Sequence, residues 1–402
     1  MPTESLLADG RGVPTWRGFS ALSCTPASIT VMPPQQAPPN RGPQIIDLFA
    51  GPGGLDVGAT WLDIPTTGIE LDDNACATRR MAGLSTRQGD VRDFGPDDFP
   101  EATVLTGGPP CQTFTVAGLG SGRRSLAEVI RRVNEIAEHP NTCTQRDEFA
   151  DDRTGLVLEP LRWALMALHA DTPYEAIVLE QVPAVLPVWE AYKEVLTHHG
   201  YGVDVGVLRS EQFGVPQTRR RAILIARRGD TEVKLPSPTH HAFRKGESRL
   251  STQELQPWVS MGQALGRDRR FTVVSNYGSG GDPKNRGERS SDEPSATITG
   301  KVMRNRLRLA GGGESRLSHH EAGRLQTFPY DFPWSGNDIG QQIGNAIPPR
   351  LAVHVLAQAL KIQLDEDELD RTVNGSWMEG RPIPLGSRRP EYLEDRMAAA
   401  LD

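Results

Sequence analysis

A cysteine attacks carbon only as its thiolate, so one that does chemistry needs a held position whose surroundings lower its pKa. Cys111 has such a setting. It follows the run Gly107-Gly108-Pro109-Pro110 and precedes Gln112, just past Ala102 to Thr106, which reads as a strand. Two prolines fix the backbone and remove two amide donors. The carboxyl ends of strands are where open α/β sheets bind ligands. A lone cysteine is by default inert core; the stiff strand-end setting argues for a nucleophile. Cys24, Cys76 and Cys143 lack that context and take no role.

A second group of residues is suited to binding. Asp47-Leu48-Phe49-Ala50-Gly51-Pro52-Gly53-Gly54-Leu55 follows an apolar strand and opens a helix. Its glycines let the backbone turn sharply and approach a ligand closely. Glu70 ends the next strand, 19 residues after Gly51, where a carboxylate accepts hydrogen bonds from ribose hydroxyls. Asp90 ends the third strand, placed for an adenine amino group. One glycine-rich turn alone is as often a plain strand–helix connection. Two carboxylates at successive strand ends lower the weight of that reading. No Gly-Lys-Ser/Thr follows, so this is not a phosphate-binding P-loop.

The elements around these residues alternate. Gln44 to Ala50, Thr66 to Leu71, Thr86 to Val91 and Ala102 to Thr106 read as strands, with a helix from the glycine turn through Leu62. A polar stretch from Thr113 to Arg153 holds a helix around Ser125 to Glu138. Leu156 to His169 is helical by apolar spacing, Glu175 to Glu180 is strand, and a helix runs from Val188. Val203 to Arg209 and Arg221 to Ala226 form a strand pair. This alternation predicts an α/β fold, a parallel-rich sheet with helices on both faces.

Between about 231 and 315 the periodicity fails. Pro, Gly and Ser clusters there separate short β-like pieces at Phe271 to Ser275 and Ala296 to Thr299, as in a small second domain. Beyond it, Ser318 and Glu321 make a helix-capping pair, and Pro348-Pro349 opens a helix from Arg350 to Lys361. The division expected is a disordered Pro-rich extension over 1–43, a catalytic domain over 44–230, a small domain over 231–315, a return to the large domain over 316–362 and a charged tail over 363–402.

The 402-residue chain has a net charge of −7, yet residues 231–320 carry 15 Lys and Arg against 9 Asp and Glu. One basic segment on an acidic protein suits a local phosphate contact, although charge alone favours plain solvated surface. Arg244, Lys245, Arg249, Arg269, Arg270, Arg304 and Arg306 are the candidates. No apolar run approaches the ~18 residues of a membrane span, and the N-terminus shows no signal-peptide pattern. Few, scattered cysteines fit a reducing compartment. The expectation is a cytoplasmic protein with no membrane attachment. The pairs His198-His199, His240-His241 and His319-His320 invite a metal reading, but sequence neighbours share no helix face and no ligand spacing completes a site; no metal is expected.

Taken together, Asp47 to Gly54 and Pro109-Pro110-Cys111-Gln112 closely resemble the DNA (cytosine-5) methyltransferases of bacteria and phages. Glu180-Gln181-Val182 resembles that family's Glu-Asn-Val motif, and Gln217 to Arg221 its Gln-x-Arg-x-Arg motif. His320 to Pro329 looks like its Arg-Leu-Gln-x-Phe-Pro helix, and Gln342 to Pro349 its last motif. The matches run in family order from about 44 to 357. Two departures stand out: Gln181 replaces the usual Asn, and Thr113-Phe114-Thr115 replaces Pro-Phe-Ser, a Phe-Thr pair also found in tRNA-methylating relatives.

The resemblance implies an S-adenosylmethionine-dependent, Rossmann-like sheet, a target-recognition domain at 231–315 and a loop at Thr113 to Arg153 closing over double-stranded DNA, in a monomer serving restriction–modification or DNA protection. It implies that Cys111 adds to carbon 6 of a flipped cytosine, that Glu180 serves ring N3, and that Arg219 and Arg221 hold the base O2 and the Glu180 carboxylate. Strand alternation puts Arg219 and Arg221 on one face. Gln181 would support the cysteine turn. Phe49, Gly51, Gly53, Gly54, Leu55, Glu70, Leu71, Asp90, Val91, Pro110, Leu156, Asn345 and Ala346 would surround S-adenosylmethionine. Gln112 and Thr297 join the basic residues as DNA contacts. A tRNA cytosine-5 methyltransferase and an inactive DNA-binding protein on the same scaffold are the alternatives.

Overall fold

The structure, a computed structural model, describes residues 42–110, 121–138, 155–247, 252, 254–278 and 286–379. The extension expected over 1–43 falls almost wholly outside them. So do Cys111, Gln112 and Arg249, most of Thr113 to Arg153, and the tail from residue 380.

A seven-stranded sheet forms the frame, in the order β3-β2-β1-β4-β5-β7-β6. Its strands are β1 (Ile45–Leu48), β2 (Thr66–Glu70), β3 (Ser85–Gln88), β4 (Val104–Gly107), β5 (Ala176–Gln181), β6 (Tyr201–Arg209) and β7 (Arg220–Arg228). The first five are parallel. β7 enters antiparallel between β5 and β6. All four residues of β1 are buried, as suits a central strand covered on both faces.

Helices cover both faces. On one lie α3 (Ser121–Glu138), α4 (Glu159–His169) and α5 (Leu186–His198), whose Val129, Leu161, Trp163 and Trp189 pack with Ile46 and Leu105. On the other lie α1 (Gly54–Trp61), α9 (Pro349–Leu360) and α10 (Glu366–Val373), with Val57, Trp61, Leu351 and Leu369 packed on Ile45, Val104 and Ile225. α2 (Asp73–Met81) connects β2 to β3.

The aperiodic region folds around a four-stranded antiparallel sheet, order β11-β10-β8-β9, of β8 (Phe271–Gly278), β9 (Arg286–Ser290), β10 (Arg306–Leu309) and β11 (Glu314–Ser315). α6 (Met261–Leu265) precedes it. α7 (His319–Arg324) carries the Ser318–Glu321 capping box read from sequence, and α8 (Ile339–Asn345) follows. Met261, Phe271, Ile298 and Leu307 share one core with Ala322, Leu325 and Ile343. The core beneath the small sheet is thus completed by residues beyond 315. Ala296 to Thr299, read as β-like, is not a strand; only Ser295 bridges to Gln217.

The stretch after 362, expected as a charged tail, holds a helix over Glu366–Val373. In α10, Leu369 and Val373 are buried, while Glu366 and Asp370 pair with Arg350, the former at 2.8 Å. The acidic residues hide an amphipathic period, and their partner is a cation 16 and 20 residues earlier on another helix.

Candidate active site

The strand order reverses between β1 and β4, which places the loops after both strands side by side. Crevices at such switch points are where open α/β sheets bind ligands. The glycine turn follows β1; Gly108-Pro109-Pro110 follows β4. The Gly108 amide donates to the Leu48 carbonyl at 3.2 Å, tying the two loops at their bases. A cavity of about 1110 Å³, lined by Ile45, Thr66, Phe99 and Trp377 among others, opens at the other end of these strands. Strand-end chemistry, and not volume, therefore marks the site.

Gly51 and Gly53 have φ of 56° and 104°, the left-handed region that favours glycine. Phe49 shares that region at 61°, an uncommon conformation for a residue with a side chain. A β-carbon on Gly54 would lie 2.2 Å from the Ile347 carbonyl oxygen. The turn is supported from below by buried charge: Arg79 donates to both Asp56 oxygens at 2.8 and 2.7 Å and to the Ser85 carbonyl. Asp47 shares a 2.7 Å hydrogen bond with the Thr106 hydroxyl. Burial, with the Asp56 carboxylate nearby, pushes Asp47 up to about 8.

Glu70 ends β2 as expected. Its carboxylate accepts from the Gly51 amide at 2.7 Å and from Leu71 and Asp72 at 2.8 and 2.7 Å. Oε1 takes the bonds from Leu71 and Asp72, and Oε2, which takes only that from Gly51, retains acceptor capacity. Leu71 is 63% exposed beside it, an apolar surface with no protein cover. Asp90 lies two residues past β3, caps the turn Val91–Asp93 through the Arg92 amide and pairs with the Arg92 guanidinium at 2.6 Å. Val91, Leu55 and Ala346 are buried; Phe49 and Leu156 are partly buried against the core. Asn345 is exposed at the end of α8, its Oδ1 accepting from Gln341 Nε2 at 2.7 Å.

Glu180 lies on β5 opposite Ile223 of β7. Arg221, two residues earlier on β7, reaches it diagonally across the sheet, Nε to Oε1 at 2.5 Å. A β-carbon on Gly108 would lie 3.5 Å from the other Glu180 oxygen, so the carboxylate faces the turn that leads to Cys111. Gln181 bridges its own chain and that turn: its amide nitrogen donates to the Pro109 carbonyl and its oxygen accepts from the Val182 amide. The structure thus brings Glu180, Gln181 and Arg221 to Pro109-Pro110.

Arg219 has other described partners. It precedes β7, where strand alternation no longer applies, and is only 1% exposed. Its guanidinium donates to the Gly344 carbonyl at 3.1 Å and the Ile298 carbonyl at 3.2 Å. Strand alternation requires continuous extended pairing, so it does not fix the face that Arg219 takes relative to Arg221. Sequence reasoning also passed over Gln217 and Gln326. Gln217 accepts from the Ile298 amide and donates to Gln326 Oε1, both at 2.7 Å. Gln326 donates to Ile343 and Ala346 carbonyls. The signal available was a glutamine inside each of two motifs; nothing in either spacing shows that they meet.

The basic candidates are surface residues. Arg244, Lys245, Arg269, Arg270, Arg304 and Arg306 are exposed. Three have acidic neighbours: Arg244 with Glu247, Arg270 with Asp292, and Arg306 with Glu314, at 3.5, 3.7 and 3.5 Å. Thr297 is exposed and donates to the Thr218 carbonyl. Among the described residues no cluster of three His, Cys, Asp or Glu has metal-binding geometry, and no helix is long and apolar enough to cross a membrane.

The family model described as C-5 cytosine-specific DNA methylase matches residues 43–140, 143–260 and 240–361. The type II methyltransferase M.NgoFVII of Neisseria gonorrhoeae is 27% identical over 379 residues, covering 81% of this chain and 88% of that one. M1.HphI of Haemophilus parahaemolyticus, another type II methyltransferase, is 28% identical over 363 residues, with 80% and 87% covered. The crystal structure of S. pombe Dnmt2 methyltransferase superposes with a TM-score of 0.53 at 17% identity, covering 79% of this chain and 98% of that chain. A putative DNA modification methyltransferase encoded within an E. coli prophage gives 0.51 at 17%, with 80% and 99% covered. At such identities the structural likeness is one of fold.

Proposed function

The chain belongs to the C-5 cytosine-specific DNA methylase family and is a DNA cytosine-5 methyltransferase; from that premise we propose that it works through a transient covalent bond from Cys111 to a cytosine flipped out of duplex DNA, in a restriction–modification or DNA-protection role. The observation that carries the reading is the Glu180–Arg221 pair facing the Pro109-Pro110 turn.

Carbon 5 of cytosine is a poor nucleophile inside an aromatic ring. Addition of the Cys111 thiolate to carbon 6 breaks the aromaticity and moves an electron pair toward N3 and carbon 5. Glu180 shares a proton with N3 as that charge develops, and Arg221 fixes the carboxylate that does so. Carbon 5 then takes the methyl group. Loss of the carbon 5 proton restores the double bond and expels the Cys111 thiolate. The base is reached only outside the stack, and extrusion costs a few kcal/mol.

The cofactor site fits S-adenosylmethionine. Gly51, Gly53 and Gly54 give close backbone approach, Glu70 offers acceptors to ribose hydroxyls, and exposed Leu71 offers a flat apolar surface. Phe49 follows β1, Asp90 and Val91 follow β3, and Pro110 follows β4, while Asn345 ends the helix that leads to Ile347 against Gly54. When bound, the cofactor supplies an electrophilic methyl group on sulfonium sulfur. Arg219 donates to the Ile298 and Gly344 carbonyls, which places it between the 295–300 segment and the helix that ends at Asn345.

The test is transfer of label from methyl-tagged S-adenosylmethionine to unmethylated duplex DNA or to tRNA. Label at carbon 5 of cytosine in DNA, abolished by Cys111→Ala, is expected. Label in tRNA alone overturns the substrate, and undiminished transfer by Cys111→Ala overturns the nucleophile.

A further inference from the structure

Residues 295–300 form a strap that contacts two parts of the catalytic machinery. At one end, Ser295 bridges to Gln217, and the Thr218 amide donates to the Ser295 carbonyl at 2.8 Å. At the other, the strap lies directly on α8. A β-carbon on Gly344 would fall 2.3 Å from the Gly300 amide nitrogen, and one on Gly300 would fall 2.0 Å from Gln341 Oε1. Gly344 immediately precedes Asn345. Three residues further, Ile347 presses its carbonyl against Gly54 of the cofactor turn. Close backbone contacts therefore run from the exposed strap to the glycine turn.

Two buried side chains fasten this path. Arg219 holds Ile298 of the strap and Gly344 of α8 with one guanidinium. Gln326, wholly buried, holds the carbonyls of Ile343 and Ala346 while accepting from Gln217, whose own oxygen holds the Ile298 amide. Both therefore link the strap to the segment that ends in Asn345 and Ile347. Thr297, Thr299, Lys301 and Arg304 are exposed along and just after the strap, a polar and basic row suited to phosphate oxygens.

We infer that Arg219 and Gln326 are positioning residues that couple engagement of DNA along the 295–304 segment to binding of the methyl donor at the glycine turn. The inference rests on the function proposed above. DNA that fixes the strap fixes Gly344 through Arg219 and Gln326, and so fixes the walls at Asn345 and Ile347. By linkage the donor then strengthens DNA binding by the same factor.

The experiment is equilibrium dialysis of the full-length protein with labelled S-adenosylhomocysteine, with and without saturating unmethylated plasmid duplex. Wild type should bind the nucleoside about tenfold more tightly with DNA, within the usual range of such couplings. Arg219→Met keeps the stem and loses the donors; it should reduce to about one the ratio of its affinity with DNA to its own affinity without DNA. Arg219→Lys, which keeps donors for the two carbonyls, should recover part of the ratio. Gln326→Leu should repeat the loss, and does so independently if Arg219→Met fails to fold. In turnover at saturating DNA, the loss should appear in KM for the donor more than in kcat. A wild-type ratio in both Arg219→Met and Gln326→Leu overturns the inference, as does a wild-type protein that binds both ligands without coupling. No nucleoside binding by wild type overturns the cofactor reading along with it.

Discussion

Arg221 meets Glu180 diagonally across the antiparallel β5–β7 pair, Nε to Oε1 at 2.5 Å, with both side chains close to nine-tenths buried. The pair exists because β7, late in sequence, inserts beside β5. An arginine on a packed strand is a fixed donor, and its planar group suits a carboxylate better than a lysine does.

Arg221→Met should therefore lower kcat by about 10²-fold, the scale of removing one preorganised electrostatic partner. Donor affinity should stay unchanged, because the cofactor turn lies on other strands. Steady-state methyl transfer against donor concentration checks this; a loss confined to KM would contradict it.

Gly54→Ala places a methyl carbon 2.2 Å from the Ile347 carbonyl oxygen, and backbone cannot yield as a side-chain tip can. The turn must shift. We expect KM for the donor to rise about tenfold and stability to fall by ~1–3 kcal/mol, as for overpacking elsewhere. Donor titration and urea unfolding test the two parts separately.

Arg79→Met leaves the Asp56 carboxylate buried without its bidentate partner; both side chains are at most 1% exposed. Breaking one side of such a pair typically costs about 3–5 kcal/mol. Urea unfolding should show this loss, and Asp56→Asn in the same chain should return part of it.

Two buried groups give opposed pH slopes. Burial, with the Arg350 guanidinium nearby, pushes His240 down to about 4. The unfolded chain takes up that proton first, so this contribution is complete above about 6.5 and is lost as pH falls toward 4. Asp47, pushed up to about 8, keeps its proton in the fold while the unfolded chain releases it near 3.8. Its contribution is lost as pH rises toward 8. Asp47→Asn should flatten the decline between about pH 6.5 and 8, and His240→Gln the acid limb. Unfolding midpoints from about pH 4 to 8 decide both; an unaltered slope in either variant contradicts its assignment.

The glycine turn, Glu70 and the parallel strands were legible because their signals are local: a turn that needs glycine, a carboxylate at a strand end, alternation of apolar runs. The same locality explains the failures. Arg219 and Arg221 differ by two positions, but only Arg221 lies within β7, and where a strand begins depends on what pairs with it. Asp90 was read as a strand end; β3 stops at Gln88, and the aspartate caps a turn instead. Gln217 and Gln326 meet through a contact 109 residues apart in sequence. The charges of α10 concealed its apolar face because their partner, Arg350, belongs to another helix.

The contact between Gly54 and Ile347 also orders events on the ribosome. The nucleotide cradle is laid down near the start of synthesis, yet one of its walls emerges almost three hundred residues later. Domains tend to fold as they emerge, and here folding of the first half leaves that wall missing. A translation product that stops short of Ile347 lacks the backbone that packs against Gly54.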